Sequence, residues 1–248
     1  MNPPRAYRTR ALVLRSRNLG EADKIITLLT SERGKVDAVA KGVRRQKSHL
    51  AGRLEFTGEV QLEMHRGRSL DVIVAAELHH ANWKGIVEPA AFAAASVAVE
   101  IVDALCEPDL ALPDVYALLR GALRAIAASE DPMSLLPRFE LRLLHALGLA
   151  PPTDVCVRCQ ASLFEGAWVD EESGALAGNE CRERWRDALL LDVDDLANFA
   201  SLAAPRGAGA ALRARPRVVE AIDRLISHHL GRRIRSGAHA AAFVRPSA

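Results

Sequence analysis

The chain has 248 residues, about half of them hydrophobic and only 4% aromatic, with a formal net charge of +2. That is ample apolar material for aliphatic cores in two or three units, and it excludes a largely disordered chain. The most apolar stretch, 89–105, is interrupted by Glu100 and Asp103, so no bilayer span is expected. Met1 to Arg5 lacks an apolar signal core, and four cysteines are too few for a secreted disulfide framework. The expectation is a cytoplasmic protein without membrane contact. The small total hides a segregated field: residues 1–80 carry +6, residues 81–170 carry −6 and residues 205–248 carry +7. Unevenly scattered solubility charge is the bland account of the same numbers.

From Arg8 to about Leu78 the pattern is short strands and turns. Ala11 to Leu14 is the first strand, Lys24 to Leu29 the second and Lys35 to Ala40 the third. Ser31 to Gly34 is a turn between the second and third, where Gly34 supplies the positive φ of a tight hairpin. Val60, Leu62 and Met64 alternate with Gln61, Glu63 and His65, the period of a half-buried strand. Leu70, Val72, Val74, Ala76 and Leu78 alternate again after the turn at Arg66 to Ser69. Five strands in about 70 residues suit a small closed barrel; an OB-fold and an SH3-like barrel both fit the count. Between the third and fourth strands lies a cationic loop with Lys41, Arg44, Arg45 and Lys47 and no acid among them.

Beyond about Glu88 the period becomes helical. Ala91 to Leu105 is Ala-rich, with Glu100 and Asp103 expected on its wet face. Pro113 opens a second helix through Ala128, and Pro132 or Met133 a third through Leu147, capped by Gly148. Residues 150–187 break the pattern and hold three of the four cysteines. Asp192 to Leu202 is helical again, with Asp194 and Asp195 favouring the dipole of its first turn. Residues 203–210 form a loose linker. The final helix runs from about Pro216 to Ile234 with Val218, Val219, Ile222, Leu225, Ile226 and Leu230 at helical spacing. The expected architecture is α+β and multidomain: an OB-type barrel over 1–80, then a helical bundle over 81–248 with a small cysteine module inserted at about 150–187.

Cys156 and Cys159 form a CxxC knuckle, and Cys181 lies 22 residues beyond the second of them. Zinc takes thiolates tetrahedrally, and a CxxC turn presents two to one ion. A second CxxC would place its last thiol at Arg184, so one corner is open to Glu183, Asp187, a histidine or water. A metal-free remnant and a redox pair are the other readings of the same residues. Cys106 reads as a buried small hydrophobe. His79 with His80, and His228 with His229, are adjacent in sequence and diverge in space, so neither pair chelates well. No phosphate loop of the GxxxxGKS/T type, GxGxxG fingerprint, GxSxG elbow or HExxH appears, and no HxE precedes the CxxC as zinc deaminases require. A non-enzyme is expected.

The cationic loop is the strongest functional candidate. Arg15, Arg17, Lys24, Arg33 and Lys35 lie in or beside the first three strands and extend the same patch. With Tyr7, Phe56 and Trp83 the only aromatics near the barrel, phosphate contacts should dominate over base stacking. DNA binding through Arg15, Arg17, Lys24, Arg33, Lys35, Lys41, Arg44, Arg45 and Lys47 is therefore the expected site. The competing reading is an adaptor whose acidic helical middle docks protein partners.

The stretches Gly20-Glu21-Ala22-Asp23-Lys24-Ile25-Ile26, Thr30-Ser31-Glu32-Arg33-Gly34-Lys35 and Ala40-Lys41-Gly42-Val43-Arg44-Arg45, closed by Ser48, resemble the RecO family of bacterial recombination mediators. His228-His229-Leu230 through Ile234-Arg235-Ser236 is similar to that family's closing helix. The resemblance implies an OB-fold that contacts DNA, a helical domain with a zinc module inserted in it, and no catalytic turnover. It implies binding of single- and double-stranded DNA and annealing of complementary strands, in a nucleoid-associated role. It also implies work with RecR and single-strand-binding protein to let RecA load. Many members carry two CxxC pairs; this chain matches at Cys156, Cys159 and Cys181 and departs at Arg184.

Overall fold

The computed structural model describes residues 5–170, 173–182, 188–204 and 213–240. It divides into two compact units, Met1–Pro132 and Met133–Ala248. By packing, the first two helices fall in the same unit as the barrel.

The first unit is built on five strands: β1 Ala6–Leu19, β2 Asp23–Thr30, β3 Gly34–Ala40, β4 Glu59–His65 and β5 Asp71–His80. They close into a barrel in the order β1-β2-β3-β5-β4, with β4 returning to β1 and only β3–β5 parallel. This arrangement is consistent with an OB-like fold. Alternation fills the interior with Ala11, Val13, Ile26, Leu28, Val36, Ala38, Val60, Leu62 and Met64, all buried. Leu12, Leu14 and Leu29, of opposite parity, are buried as well. Outside cover explains this, because helix α1 (Pro89–Leu105) packs on β1 and on α2 (Pro113–Ala128). Small side chains let α1 bury residues on almost every face: Ala91, Ala94, Ala98, Val99, Ile101 and Val102 are all sequestered.

The hairpin between β2 and β3 is locked by a close approach. Gly34 has φ +68°, and a Cβ there would lie 1.8 Å from the carbonyl oxygen of Leu110. The α1–α2 connection also donates the Asp109 amide to the Lys35 carbonyl at 2.9 Å. Only glycine meets both the dihedral and the space.

The second unit holds α3 (Leu136–Ala146), a three-stranded sheet in the order β7-β6-β8 (β6 Ala167–Asp170, β7 Ala175–Ala177, β8 Leu190–Leu191), and α4 (Val193–Ala203). Two further helices follow, α5 (Pro216–Leu230) and α6 (Arg235–Ala240). Helices α3, α4 and α5 pack on one another. Asp192 and Asp195 form a reciprocal capping box at the start of α4.

Four expectations are corrected. Val74 does not join the core alternation: the β4–β5 register jumps from Glu63–Ala75 to Met64–Ile73, leaving Val74 bulged outward and Ile73 buried. The third helix begins at Leu136 after a short 3₁₀ turn at Pro132–Leu135. The last long helix stops at Leu230 because Gly231 turns left-handed at φ +63°, and a new helix starts at Arg235. Asp103 does not face water freely; it pairs with Arg15 and Lys35. The expected linker lies outside the described residues from 205 onward.

Candidate nucleic-acid interface

The loop between β3 and β4 is a chain of tight turns, Arg45 to Gly42, Ser48 to Arg45, Ala51 to Ser48 and Arg53 to Leu50, each an amide donating to a carbonyl three residues earlier. Three apolar residues spaced through it, Val43, Leu50 and Leu54, drop into the barrel core. Hydrogen bonds tie it to the β1–β2 turn: the Arg44 amide donates to the Ala22 carbonyl at 2.9 Å, and the Gly42 amide to the Asp23 side chain, Oδ1, at 2.7 Å. With the apolar side chains pointing inward, Lys41, Arg44, Arg45 and Lys47 are left on the outside, all exposed. The registers Asn18–Lys24 and Lys24–Ala40 bring Arg17 and Lys24 to the same end of the sheet as Lys41. Among the described residues, none of these six cations has a carboxylate within salt-bridge distance. Six cations outnumber Glu21 and Asp23, the two acids of the β1–β2 turn beside them, and the excess makes a local positive field that attracts phosphate.

The other three sequence candidates are placed differently. Arg15 Nε binds Asp103 Oδ2 at 2.7 Å, and Lys35 Nζ lies 3.5 Å from Asp103 Oδ1 and donates to the Asp103 carbonyl. Arg33 spans Asp71 at 2.8 Å and Asp109 at 3.1 Å and stacks over the Tyr7 ring at 4.8 Å. Burial works against charge at Asp71, but hydrogen bonds from Tyr7, Arg33 and the Gly67 amide outweigh it and hold the carboxyl below its usual range. These three cations line a polar cleft of about 480 Å³ with Arg66, Arg68 and Asp37. The structure thus brings six of the nine candidates together at one mouth of the barrel and commits three to internal ion pairs. The anchors Val43, Leu50 and Leu54 were missed by sequence reasoning; an apolar residue recurring among cations was the available signal.

In the second unit the thiols of Cys156, Cys159 and Cys181 converge, their sulfurs within 4.8 Å of one another. The knuckle closes with Gln160 at φ +62°, and its amide donates to the Cys156 carbonyl at 3.0 Å. Burial raises the Cys156 thiol, but amides of Cys159, Gly178 and Arg158 point at the sulfur and bring it down to about 7. Thiolates about 2.3 Å from a tetrahedral ion lie roughly 4 Å apart, so the three sulfurs fit one zinc. Glu183, Arg184 and Asp187, where the fourth corner was sought, lie outside the described residues. Cys106 is buried, and burial pushes its thiol up to about 11.

A closed five-stranded barrel with an anchored cationic loop at its mouth, followed by helices and a three-thiol knuckle, defines a multidomain α+β protein built on an OB-like sheet. The family model described as the recombination protein O N-terminal domain matches residues 1–82, and the one described as its C-terminal domain matches residues 88–238. The chain belongs to the RecO family. It is 41% identical over 182 residues to a protein of a Nocardioides species named DNA repair protein RecO, covering 71% of this chain and 74% of that one. A protein of the same name from Bifidobacterium longum is 42% identical over 173 residues, covering 68% and 72% of the two chains. One from Heliobacterium modesticaldum is 37% identical over 199 residues, covering 78% and 72%. No described helix is long and apolar enough to cross a membrane.

Proposed function

We propose that this chain acts in DNA repair and homologous recombination as a non-enzymatic mediator in the cytoplasm, at the nucleoid. It binds single- and double-stranded DNA through the sugar-phosphate backbone and anneals complementary strands. The observation that carries the reading is the exposed cation cluster Lys41, Arg44, Arg45 and Lys47, held at the barrel mouth by Val43, Leu50 and Leu54 and free of carboxylate partners among the described residues. The barrel is read as an OB-fold, an architecture that commonly holds oligonucleotides. With 4% aromatics in the chain, backbone contact outweighs base stacking, so sequence preference is weak. Annealing then requires only that repulsion between two phosphate chains be screened while the bases remain free to pair.

RecR and single-strand-binding protein are the protein partners in this reading, and RecA loading its outcome. The chain's family supports that assignment. Zinc, held by Cys156, Cys159 and Cys181, has a structural part: it would cross-link the knuckle to the Cys181 segment and supply no reaction step. The adaptor reading loses support from the first unit, where Asp103 and Asp109 are already engaged by Arg15, Lys35 and Arg33.

The test mixes complementary dye-labelled oligonucleotides with the full-length protein at low salt and follows energy transfer. Pairing faster than the spontaneous rate, for several unrelated sequences alike, is expected. A rate equal to that of the free strands, or acceleration confined to one sequence, counts against the reading.

A further inference from the structure

A hollow of about 460 Å³ opens on the outer wall of the barrel between α2 and the β1–β4 pair. Its lining includes Arg10, Ser31, Glu32, Gln61, Tyr116 and Arg120. The strands set these positions: Arg10 pairs with Gln61 across β1 and β4, and the Ser31 amide donates to the Arg10 carbonyl at 3.0 Å. Tyr116 is 5% exposed, and its hydroxyl has no hydrogen-bond partner among the described residues. A buried hydroxyl left unpaired is costly, so such an atom marks a place where a partner is missing. Burial, with Glu59 nearby, pushes the phenol up to about 12, so it carries its proton and needs an acceptor.

The charges around it suit an anion. Arg10 has no carboxylate within salt-bridge distance among the described residues. Glu59, itself buried, is taken by Arg124 at 2.5 Å and reached by Arg120 only at 3.8 Å, so Arg120 keeps donors to spare. Glu32 is exposed and is the one acid of the lining. Two guanidinium groups, a phenol donor and the Gln61 amide together match an oxyanion with several acceptor oxygens.

We propose that this hollow is a second phosphate site, which takes a backbone phosphate of one nucleic-acid segment while the cationic loop holds another. The inference rests on the nucleic-acid reading above. Lys24 and Ser31 stand at opposite ends of β2, which spans roughly 20 Å, so the two footholds cannot share one phosphate. Two separate footholds on one barrel would let it hold two strands at once, beyond screening their repulsion. A free phosphoryl compound offers the same chemistry, and the test separates the two sources.

The chain has two tyrosines, Tyr7 and Tyr116, so 3-fluorotyrosine labelling gives two fluorine resonances, assigned with Tyr7→Phe. Inorganic pyrophosphate and a thymidine oligonucleotide are titrated into the full-length protein. The expected result is a saturable shift of the Tyr116 resonance with both probes. Arg10→Glu, at an exposed strand position, raises both midpoints for that shift by about tenfold while oligonucleotide binding at the loop persists. The milder Arg10→Gln gives a smaller rise in the same direction. A Tyr116 resonance indifferent to both probes overturns the site. A response to pyrophosphate alone, with the oligonucleotide bound at the loop, overturns the second-strand role and reassigns the hollow to a free phosphoryl compound. A response to pyrophosphate with no oligonucleotide bound anywhere keeps the phosphate site and defeats the nucleic-acid reading beneath it.

Discussion

Reversing charge at Lys41, Arg44 and Arg45 is the sharpest test of the barrel mouth. Six cations there, Arg17, Lys24, Lys41, Arg44, Arg45 and Lys47, lack carboxylate partners among the described residues. Each phosphate contact to a single strand contributes about 0.7 to the slope of log affinity against log salt, so six contacts predict a slope near −4 and three predict about −2. Raising salt fourfold then weakens the parent about 300-fold and the triple variant only about 20-fold. The assay is fluorescence anisotropy with unrelated oligonucleotides across that salt range. The loss should be the same for every sequence, because the contacts are to phosphate. Neutralising Arg15 and Lys35 serves as the contrast: both already face Asp103, so their removal should leave the slope within error of the parent. If the triple variant keeps the parental slope, or if the Arg15 and Lys35 changes flatten it equally, the loop is not the phosphate-binding surface.

Leu50 is 1% exposed inside the barrel, so Leu50→Ala should cost about 2–5 kcal/mol in urea unfolding and loosen the cationic loop it anchors. Gly34→Ala combines a positive φ with a backbone collision at Leu110, and a loss of about 3 kcal/mol or more is expected in the same assay. Burial on α3, with Asp223 nearby, pushes Glu140 up to about 8, so the folded state holds a proton there that the unfolded state has released. Stability therefore falls as pH rises from about 4.5 to 8, and Glu140→Gln should remove that fall, gaining on the order of a few kcal/mol at pH 9. A melting profile across pH that stays parallel to the parent's would refute it. Metal analysis should find one zinc per chain, and Cys156→Ser should abolish it while lowering the melting temperature.

The barrel was legible because its strands announce themselves locally. Period-two spacing at Val60, Leu62 and Met64, and the glycine turn at Gly34, needed no knowledge of the rest of the chain. Val74 was misplaced because a bulge shifts parity without changing composition. The fate of the cations was less legible. Arg15, Arg33 and Lys35 look the same in sequence as Lys41 and Arg44, and only the arrival of Asp71, Asp103 and Asp109 from elsewhere in the chain separates paired charge from free charge. The hollow at Tyr116 was out of reach for the same reason, since it joins residues about a hundred positions apart. The knuckle at Cys156 and Cys159 was plain from spacing, and the convergence of Cys181 upon it followed from the same chemistry.

The acids that quiet Arg33, Arg15 and Lys35 include two, Asp103 and Asp109, that lie downstream of the barrel. A truncated N-terminal fragment stopping near residue 82 would therefore be a different electrostatic object from the intact chain. It would bare Leu12, Leu14 and Leu29, release Arg15 and Lys35 from Asp103 while leaving Arg33 with Asp71 alone, and overstate how tightly the parent protein grips a polyanion.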